Sequence, residues 1–181
     1  MYENSLNLMK QKGIKFEKGL TLDELKQIEM IYQIKFPGSL REFLMMAMPV
    51  SKGFYNWRDI QEDNVCFIKK VINKPLSDIH NMAGEVYRCD DWGEEPEDEK
   101  NISKEVITRL KEAPQLIPIY AHRYIPMVLD ENPPVLSIHD IDIIYYGENL
   151  EDYFNIEFGK KTQDAIQFQN ITPVSFWSDI M

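Results

Sequence analysis

The chain has 181 residues, of which 44% are apolar, and thirty acidic residues against twenty basic ones give it a formal net charge of −10. This length and apolar content suit one folded domain and exclude a disordered chain. The negative charge repels nucleic acid and anionic lipid, so both are excluded as partners. It would attract a basic protein. The alternative is that the acidic surface only keeps the protein soluble.

The sequence shows no membrane segment and no secretory signal. Its longest apolar-rich run, Phe43–Val50, is far shorter than the roughly 18 residues that a membrane helix needs. No basic segment followed by an apolar one opens the chain, so we expect a cytoplasmic location. Cys66 and Cys89 lack zinc-ligand spacing. We expect both cysteines to be reduced thiols in the cytoplasm, and a disulfide between them is the alternative that the sequence leaves open.

The first half of the chain carries helical patterns. Residues 1–19 predict a weak helix and a turn near Gly13. Thr21 and Glu24 have the spacing of a capping box and predict a helix that ends at Phe36-Pro37-Gly38. Ser39 is the predicted N-cap of the next helix, which Pro49 stops.

Further helices are predicted over residues 60–72 and 103–113, the second capped by Ser103. Residues 75–89 are compatible with a helix or an irregular segment, and residues 90–100 predict a charged loop.

The pattern then changes to short apolar runs bounded by Pro, Asp, Asn or Gly. These runs predict four strands: Leu116–Tyr120, Tyr124–Leu129, Val135–His139 and Asp142–Tyr146. Their connections are too short for crossover helices, so the strands should be antiparallel. Pro118 and Pro126 suggest edge positions or bulges. A helix over residues 149–158 and an apolar tail that docks on the core complete a single α+β domain, with a central antiparallel sheet of about four to six strands.

An ordered series of short motifs runs from about residue 19 to the C-terminus: Leu20-Thr21-x-x-Glu24, Ile34-Lys35-Phe36-Pro37, Leu40-x-x-Phe43-Leu44, Gly53-Phe54-Tyr55-Asn56-Trp57-Arg58-Asp59, Asp91-Trp92-Gly93-Glu94-Glu95-Pro96, Ile117-Pro118-Ile119, Asp142-Ile143-Ile144-Tyr145-Tyr146-Gly147 and Phe176-Trp177-Ser178-Asp179. This series resembles the SUKH superfamily, which includes yeast cell-wall assembly regulators and many bacterial immunity proteins. The resemblance implies a SUKH-like domain over residues 19–181, and residues 1–18 then form an N-terminal extension that the residue pattern predicts to be helical.

The resemblance also implies a function without catalysis. Many bacterial members bind and neutralise a toxin, frequently a nuclease, that the same strain makes. The expected function is therefore that of an immunity protein, with a basic toxin domain as partner and no cofactor. The alternative is a regulatory or scaffold module that binds a cellular protein, as in the fungal relatives.

Three histidines could carry chemistry: His80, His122 and His139. His122, His139 and Asp142 suggest a third hypothesis, an enzyme or small-ligand site. No HExxH, GxSxG, P-loop or GxGxxG motif supports it, so hydrogen bonding at strand ends is the favoured interpretation, and we predict neither catalytic residues nor a metal.

Seven acidic residues lie within the ten residues 90–99, and a calcium loop would space its carboxylates differently. This loop is either a solvated surface or an electrostatic docking surface. Trp92 and Trp57 are the predicted anchors for a partner, although each could instead pack in the core. The candidate partner-binding residues are Trp57, Asp59, Asp90, Asp91, Trp92, Glu94, Glu95, Glu97, Asp98 and Glu99.

Overall fold

The computed structural model describes residues 2–181, and within them the chain forms helices and two antiparallel sheets, which confirms the α+β class. The helices are α1 Glu3–Gln11, α2 Leu22–Tyr32, α3 Gly38–Met46, α4 Glu62–Asn81, α5 Glu99–Leu110 and α6 Leu150–Glu157. The strands are β1 Phe16–Lys18, β2 Ala47–Pro49, β3 Leu116–Tyr120, β4 Arg123–Pro126, β5 Val135–His139 and β6 Asp142–Gly147.

Local capping sets several of the helix boundaries. The predicted capping box forms at α2, where the Glu24 amide donates to Thr21 Oγ1 at 3.2 Å and the Thr21 amide donates to Glu24 Oε2 at 2.7 Å. The predicted cap of α5 at Ser103 is wrong. Asp98 caps this helix instead, accepting from the Asn101 amide at 2.9 Å, so α5 begins four residues earlier.

Two further helix predictions need correction. Helix α3 begins at Gly38 with Pro37 at the cap, so Ser39 lies inside the helix and makes no cap. Helix α4 continues to Asn81, well past the predicted end at residue 72, with Pro75 buried inside it. The buried apolar face continues beyond Pro75 to Ile79, and this packing overrides the local cost of proline.

The larger sheet is a meander in the order β3-β4-β5-β6, with every pair antiparallel. Pro118 lies on the edge strand β3 beside a shift in register, as predicted from the absence of its N–H. Strand β4 ends at Pro126 rather than at residue 129, and Leu129 is fully exposed.

The smaller sheet pairs β1 with β2 and was not predicted, because three-residue strands are too short to show alternation. Within the predicted helical extension, residues 2–18 thus contribute a strand as well as a helix. This extension also packs into the core, since the Tyr2 ring lies 5.6 Å from Phe43 and 6.4 Å from Phe154.

Two apolar clusters make up most of the interior. The first joins α1, α2, α3, α6 and the start of α4 to the larger sheet, through Ile117, Ile119, Ile125 and Val135. The second joins the end of α4, α5, the larger sheet and the C-terminal tail. The predicted docking of the tail is confirmed, because Val174, Phe176, Trp177 and Ile180 are buried there. The indole N–H of Trp177 donates to the Pro114 carbonyl at 2.8 Å.

Among residues 2–181, none of the helices combines the length and the hydropathy that crossing a membrane requires. Cys66 and Cys89 are free thiols.

Candidate functional site

The acidic loop, defined as residues 90–99, presents all seven of its carboxylates to solvent. These residues are Asp90, Asp91, Glu94, Glu95, Glu97, Asp98 and Glu99. Within the part of the chain that the structure describes, none of the seven forms an ion pair. Among residues 2–181, the seven side chains form hydrogen bonds only through Asp98, which caps α5 by accepting from the backbone and side-chain amides of Asn101. The loop therefore carries a concentrated negative charge that no neighbouring cation neutralises by direct contact.

The backbone of the acidic loop is held by one arginine. Arg88 donates through Nη1 to the Gly93 carbonyl at 2.8 Å, and through Nη2 to the carbonyls of Trp92 at 3.2 Å and Glu94 at 3.1 Å. Its Nε donates to Glu105 of α5 at 2.8 Å, and this hydrogen bond lowers the pKa of the Glu105 carboxyl. The loop main chain is thus fixed to α5, while the acidic side chains stay free.

Gly93 provides the turn that this arrangement needs. Its φ of +90° lies in the left-handed region that favours glycine, and a Cβ at this position would meet no neighbouring atom within 4 Å. Backbone conformation rather than crowding is therefore the reason for glycine here.

Trp92 anchors the loop to the C-terminal tail. Its ring stacks on Phe176 with centroids 6.2 Å apart, and its Nε1 donates to Asp179 Oδ2 at 3.3 Å. Arg109 belongs to α5, and its guanidinium lies 4.3 Å from the centroid of the Trp92 ring. The ring is only partly buried. Trp92 therefore positions the loop, and its exposed part is all that it offers a partner.

The structure places Trp57 in the core and Asp59, half-buried, in the turn before α4. Trp57 is 3% exposed and packs edge-on against Tyr32 and Phe36, with centroids 5.4 Å and 5.3 Å away. It is a core residue that a partner cannot reach. Asp59 accepts from the Gln61 amide at 3.0 Å and orders the turn before α4.

An exposed aromatic that the sequence did not single out lies beside the acidic loop. Tyr87 is 59% exposed and directly precedes Arg88, whose side chain holds the loop. It lies in the stretch for which the sequence pattern gave no clear structure. A tyrosine next to a run of acidic residues was the available signal, but exposure depends on the tertiary fold and could not be inferred locally.

A second candidate site is a cleft between α4 and the hairpin turns of the larger sheet, hereafter the histidine cleft, which encloses about 360 Å³. The rings of His122 and His139 meet edge-to-face there, with centroids 6.1 Å apart. Burial, and then the charges of Arg123 and His139, lower the pKa of His122.

The remaining histidine and the third predicted residue lie apart from this pair. His80 lines a separate groove between α4 and α5. Asp142 pairs with His139 in the β5–β6 register, and it does not line the cleft. The predicted set of His122, His139 and Asp142 is therefore only partly brought together.

Metal-binding chemistry receives no support within residues 2–181, because no three His, Cys, Asp or Glu side chains converge there as ligands. Comparison of the chain with protein-family models, with curated proteins and with solved structures gives no match in any of the three.

Proposed function

We propose that this protein is a non-enzymatic cytoplasmic binding module, and that it acts as an immunity protein which neutralises a basic toxin domain. The observation that carries the proposal is the acidic loop, where seven exposed carboxylates without ion-pair partners lie on a backbone fixed by Arg88. The resemblance of the motif series to the SUKH superfamily supports the choice of a toxin as partner. The basic cleft of a nuclease binds the negatively charged phosphates of nucleic acid, and the carboxylates of the acidic loop would mimic that charge.

A fixed acidic surface suits fast recognition of a cationic partner. Like charges at this density repel one another, and a basic surface would relieve that repulsion. Rim charges mainly raise the association rate and select the partner. Each exposed ion pair contributes only about 0–1 kcal/mol, so the loop cannot supply the affinity alone.

The affinity must therefore come from apolar and aromatic contact close to the loop. Tyr87 is our candidate for this contact, because it is 59% exposed and tyrosines are enriched in the energetic centres of interfaces. It replaces Trp57, which is buried. The exposed part of Trp92 would extend the same contact.

Differential capture from the native cell tests this proposal. The loop variant replaces Glu94, Glu95 and Glu97 with Gln, which leaves the carbonyls bound by Arg88 and the cap at Asp98 unchanged. A control variant makes the same change in charge at exposed acids elsewhere: Glu3→Gln, Glu62→Gln and Asp164→Asn.

We expect one basic protein to be retained by the wild type and the control variant, and to be depleted about tenfold on the loop variant at low salt. The same protein should arrest growth when it is expressed alone and should be harmless when this chain is expressed with it. A captured protein without toxicity would favour the regulatory or scaffold alternative. Equal capture by all three variants would contradict the role of the loop.

A further inference from the structure

The groove between α4 and α5, hereafter the α4–α5 groove, has an apolar floor. It has a volume of about 610 Å³, and its apolar lining side chains are Leu76, Ile107, Leu110 and Ala113. Leu76, Ile107 and Ala113 are only partly buried, at the margin of the second apolar cluster. Apolar surface between the two helices is therefore left without a covering element.

Three lysines without ion pairs surround one end of this groove. Lys111 lines it directly, and Lys69 and Lys70 lie one helical turn before Asn73, which lines the groove on α4. All three lysines are exposed, and within residues 2–181 none of them forms a salt bridge. The carboxylate on the adjoining surface of α4 is that of Glu62, two helical turns or about 10 Å from Lys69 along the helix axis. This end of the groove is thus locally positive, although the net charge of the protein is −10.

A smaller polar pocket adjoins the same end. It has a volume of about 270 Å³, and Asn73 lines both this pocket and the groove. Lys69 lines the pocket together with the side chains of Gln33 and Gln115. Ammonium and amide groups donate hydrogen bonds to carboxylates. A carboxylate that reached this end would therefore find donors directly beside the apolar floor.

We propose that the α4–α5 groove binds an acidic amphipathic helix of a partner protein. Apolar side chains of that helix would cover Leu76 and Ile107, and its carboxylates would pair with the three lysines. The stretch of α4 from Asn73 to Asn81 is about 12 Å long at 1.5 Å per residue, which matches two to three turns of a bound helix.

This surface is distinct from the acidic loop. The loop leads into α5 and Lys111 directly follows that helix, so the two surfaces lie at opposite ends of α5. Their charges are opposite as well, and they suit partners of opposite charge. The inference therefore does not depend on the proposed function.

Charge decides among the possible occupants of the groove. Screening limits electrostatic attraction to roughly 8–10 Å at ordinary ionic strength, so a docked segment responds to the three lysines more than to the net charge. A basic segment would be repelled by them. A second copy of this chain would bring its own net charge of −10, and an anionic membrane would repel the protein as a whole. Apolar contact would supply the affinity, and the lysines would select acidic sequences.

Selection from a phage-displayed library of random peptides, each about 15 residues long, tests the proposal. We expect enrichment of sequences with apolar residues at the spacing i, i+3, i+4 and i+7 and with Asp or Glu on the flanking positions. The enriched peptides are then synthesised with a fluorescent label, and their Kd is measured by anisotropy at physiological salt. Their binding should shift the methyl NMR signals of Leu76 and Ile107.

Two variants remove separate parts of the proposed contact. The charge variant replaces Lys69, Lys70 and Lys111 with Gln, and it should weaken binding of the enriched acidic peptides about fivefold. The blocking variant Ser77→Trp places a bulky ring in the groove and should weaken binding about tenfold. Ser77 is exposed on α4, so this variant should fold.

Each variant has a matched control. Lys10, Lys52 and Lys160 are exposed lysines that do not line the groove, and their replacement with Gln makes the same change in charge. Gln27→Trp adds the same bulk at an exposed position of α2. Both controls should bind the peptides within about twofold of the wild type.

Several outcomes would overturn the proposal. The first is a selection that enriches no acidic amphipathic sequence, and the second is peptide binding that survives both the charge variant and the blocking variant. A dimer of this chain that Ser77→Trp dissociates in sedimentation experiments would assign the groove to a second copy instead. Binding to phosphatidylglycerol vesicles that the charge variant abolishes would assign it to a membrane surface.

Discussion

Two arginines of this protein bind their surroundings in the same way but hold different kinds of segment. Arg58 donates through Nε to Glu24 at 2.7 Å and through Nη2 to the carbonyls of Lys18 and Gly19 at 2.8 Å and 3.2 Å. Arg88 likewise donates through Nε to a helix carboxylate and through its other nitrogens to three loop carbonyls. Each arginine joins a helix to a stretch of main chain: Arg58 reaches the end of β1 and Gly19, and Arg88 reaches the acidic loop.

The difference lies in the side chains of the two stretches. The stretch held by Arg58 leads from β1 into α2 and includes Leu20, which is 2% exposed in the first apolar cluster. The acidic loop held by Arg88 contributes only the partly buried Trp92 to an apolar cluster, and its acidic side chains face solvent. Arg58 therefore stabilises packed elements, whereas Arg88 orders a surface whose charges remain available.

Loss of Arg58 should have the largest effect on stability. Arg58→Met leaves Glu24, Glu17 and two carbonyls without their charged donor, and should lower the free energy of unfolding by about 2–3 kcal/mol. Urea denaturation at neutral pH measures this. Lys26→Met is the control, because Lys26 pairs only with the exposed Asp23 at 3.6 Å and should change stability by less than about 0.5 kcal/mol. Equal effects in the two variants would show that Arg58 is only a surface residue.

Acid should weaken the contact of Arg58 with Glu24 in a defined pH range. The hydrogen bond from Arg58, followed by that from the Thr21 amide, lowers the pKa of Glu24 to about 2, below its ordinary value of 4.5. A lowered carboxyl pKa stabilises the fold above the unfolded pKa, and this stabilisation is lost as pH falls from about 4.5 to about 2. Glu24→Gln should therefore show a shallower loss of stability over this range. An identical slope in wild type and variant would contradict the assignment.

Loss of Arg88 should have a smaller effect on global unfolding and a local effect on the acidic loop. Arg88→Met frees three loop carbonyls, so a glutamate-specific protease should cleave after Glu94 or Glu97 about tenfold faster than in the wild type. Its change in unfolding free energy should be smaller than that of Arg58→Met. Arg88→Lys keeps the charge but lacks the planar fork, and should fall between wild type and Arg88→Met. Cleavage at the wild-type rate would mean that Arg88 does not order the loop.

Features encoded by neighbouring residues were predictable from the sequence. The capping box of Thr21 and Glu24 and the four strand segments of the larger sheet were found, because capping spacing and hydrophobic runs are local signals. The exposed acidic loop was likewise visible as a run of charge.

Features that depend on distant contacts were not predictable. Strand β1 pairs with β2 across some thirty residues of sequence, and Arg88 reaches Glu105 on another helix. Trp57 is buried and Tyr87 is exposed because of how the helices pack. No residue spacing in the sequence indicates which of the two aromatic side chains is exposed. The sequence therefore located the candidate surface, but it did not identify the residues that hold it or the aromatic beside it.

The central claim, that the acidic loop recruits a basic partner, is tested most directly by association kinetics. The association rate of the captured basic protein is measured at low and at physiological salt with the wild type, the loop variant at Glu94, Glu95 and Glu97, and the control variant at Glu3, Glu62 and Asp164. We predict that the loop variant associates about tenfold more slowly at low salt, with a flatter salt dependence, because screening acts over roughly 8–10 Å at ordinary ionic strength. The control variant should match the wild type within about twofold. If the loop variant associates at the wild-type rate in low salt, the acidic loop is only a solvated surface and the account is contradicted.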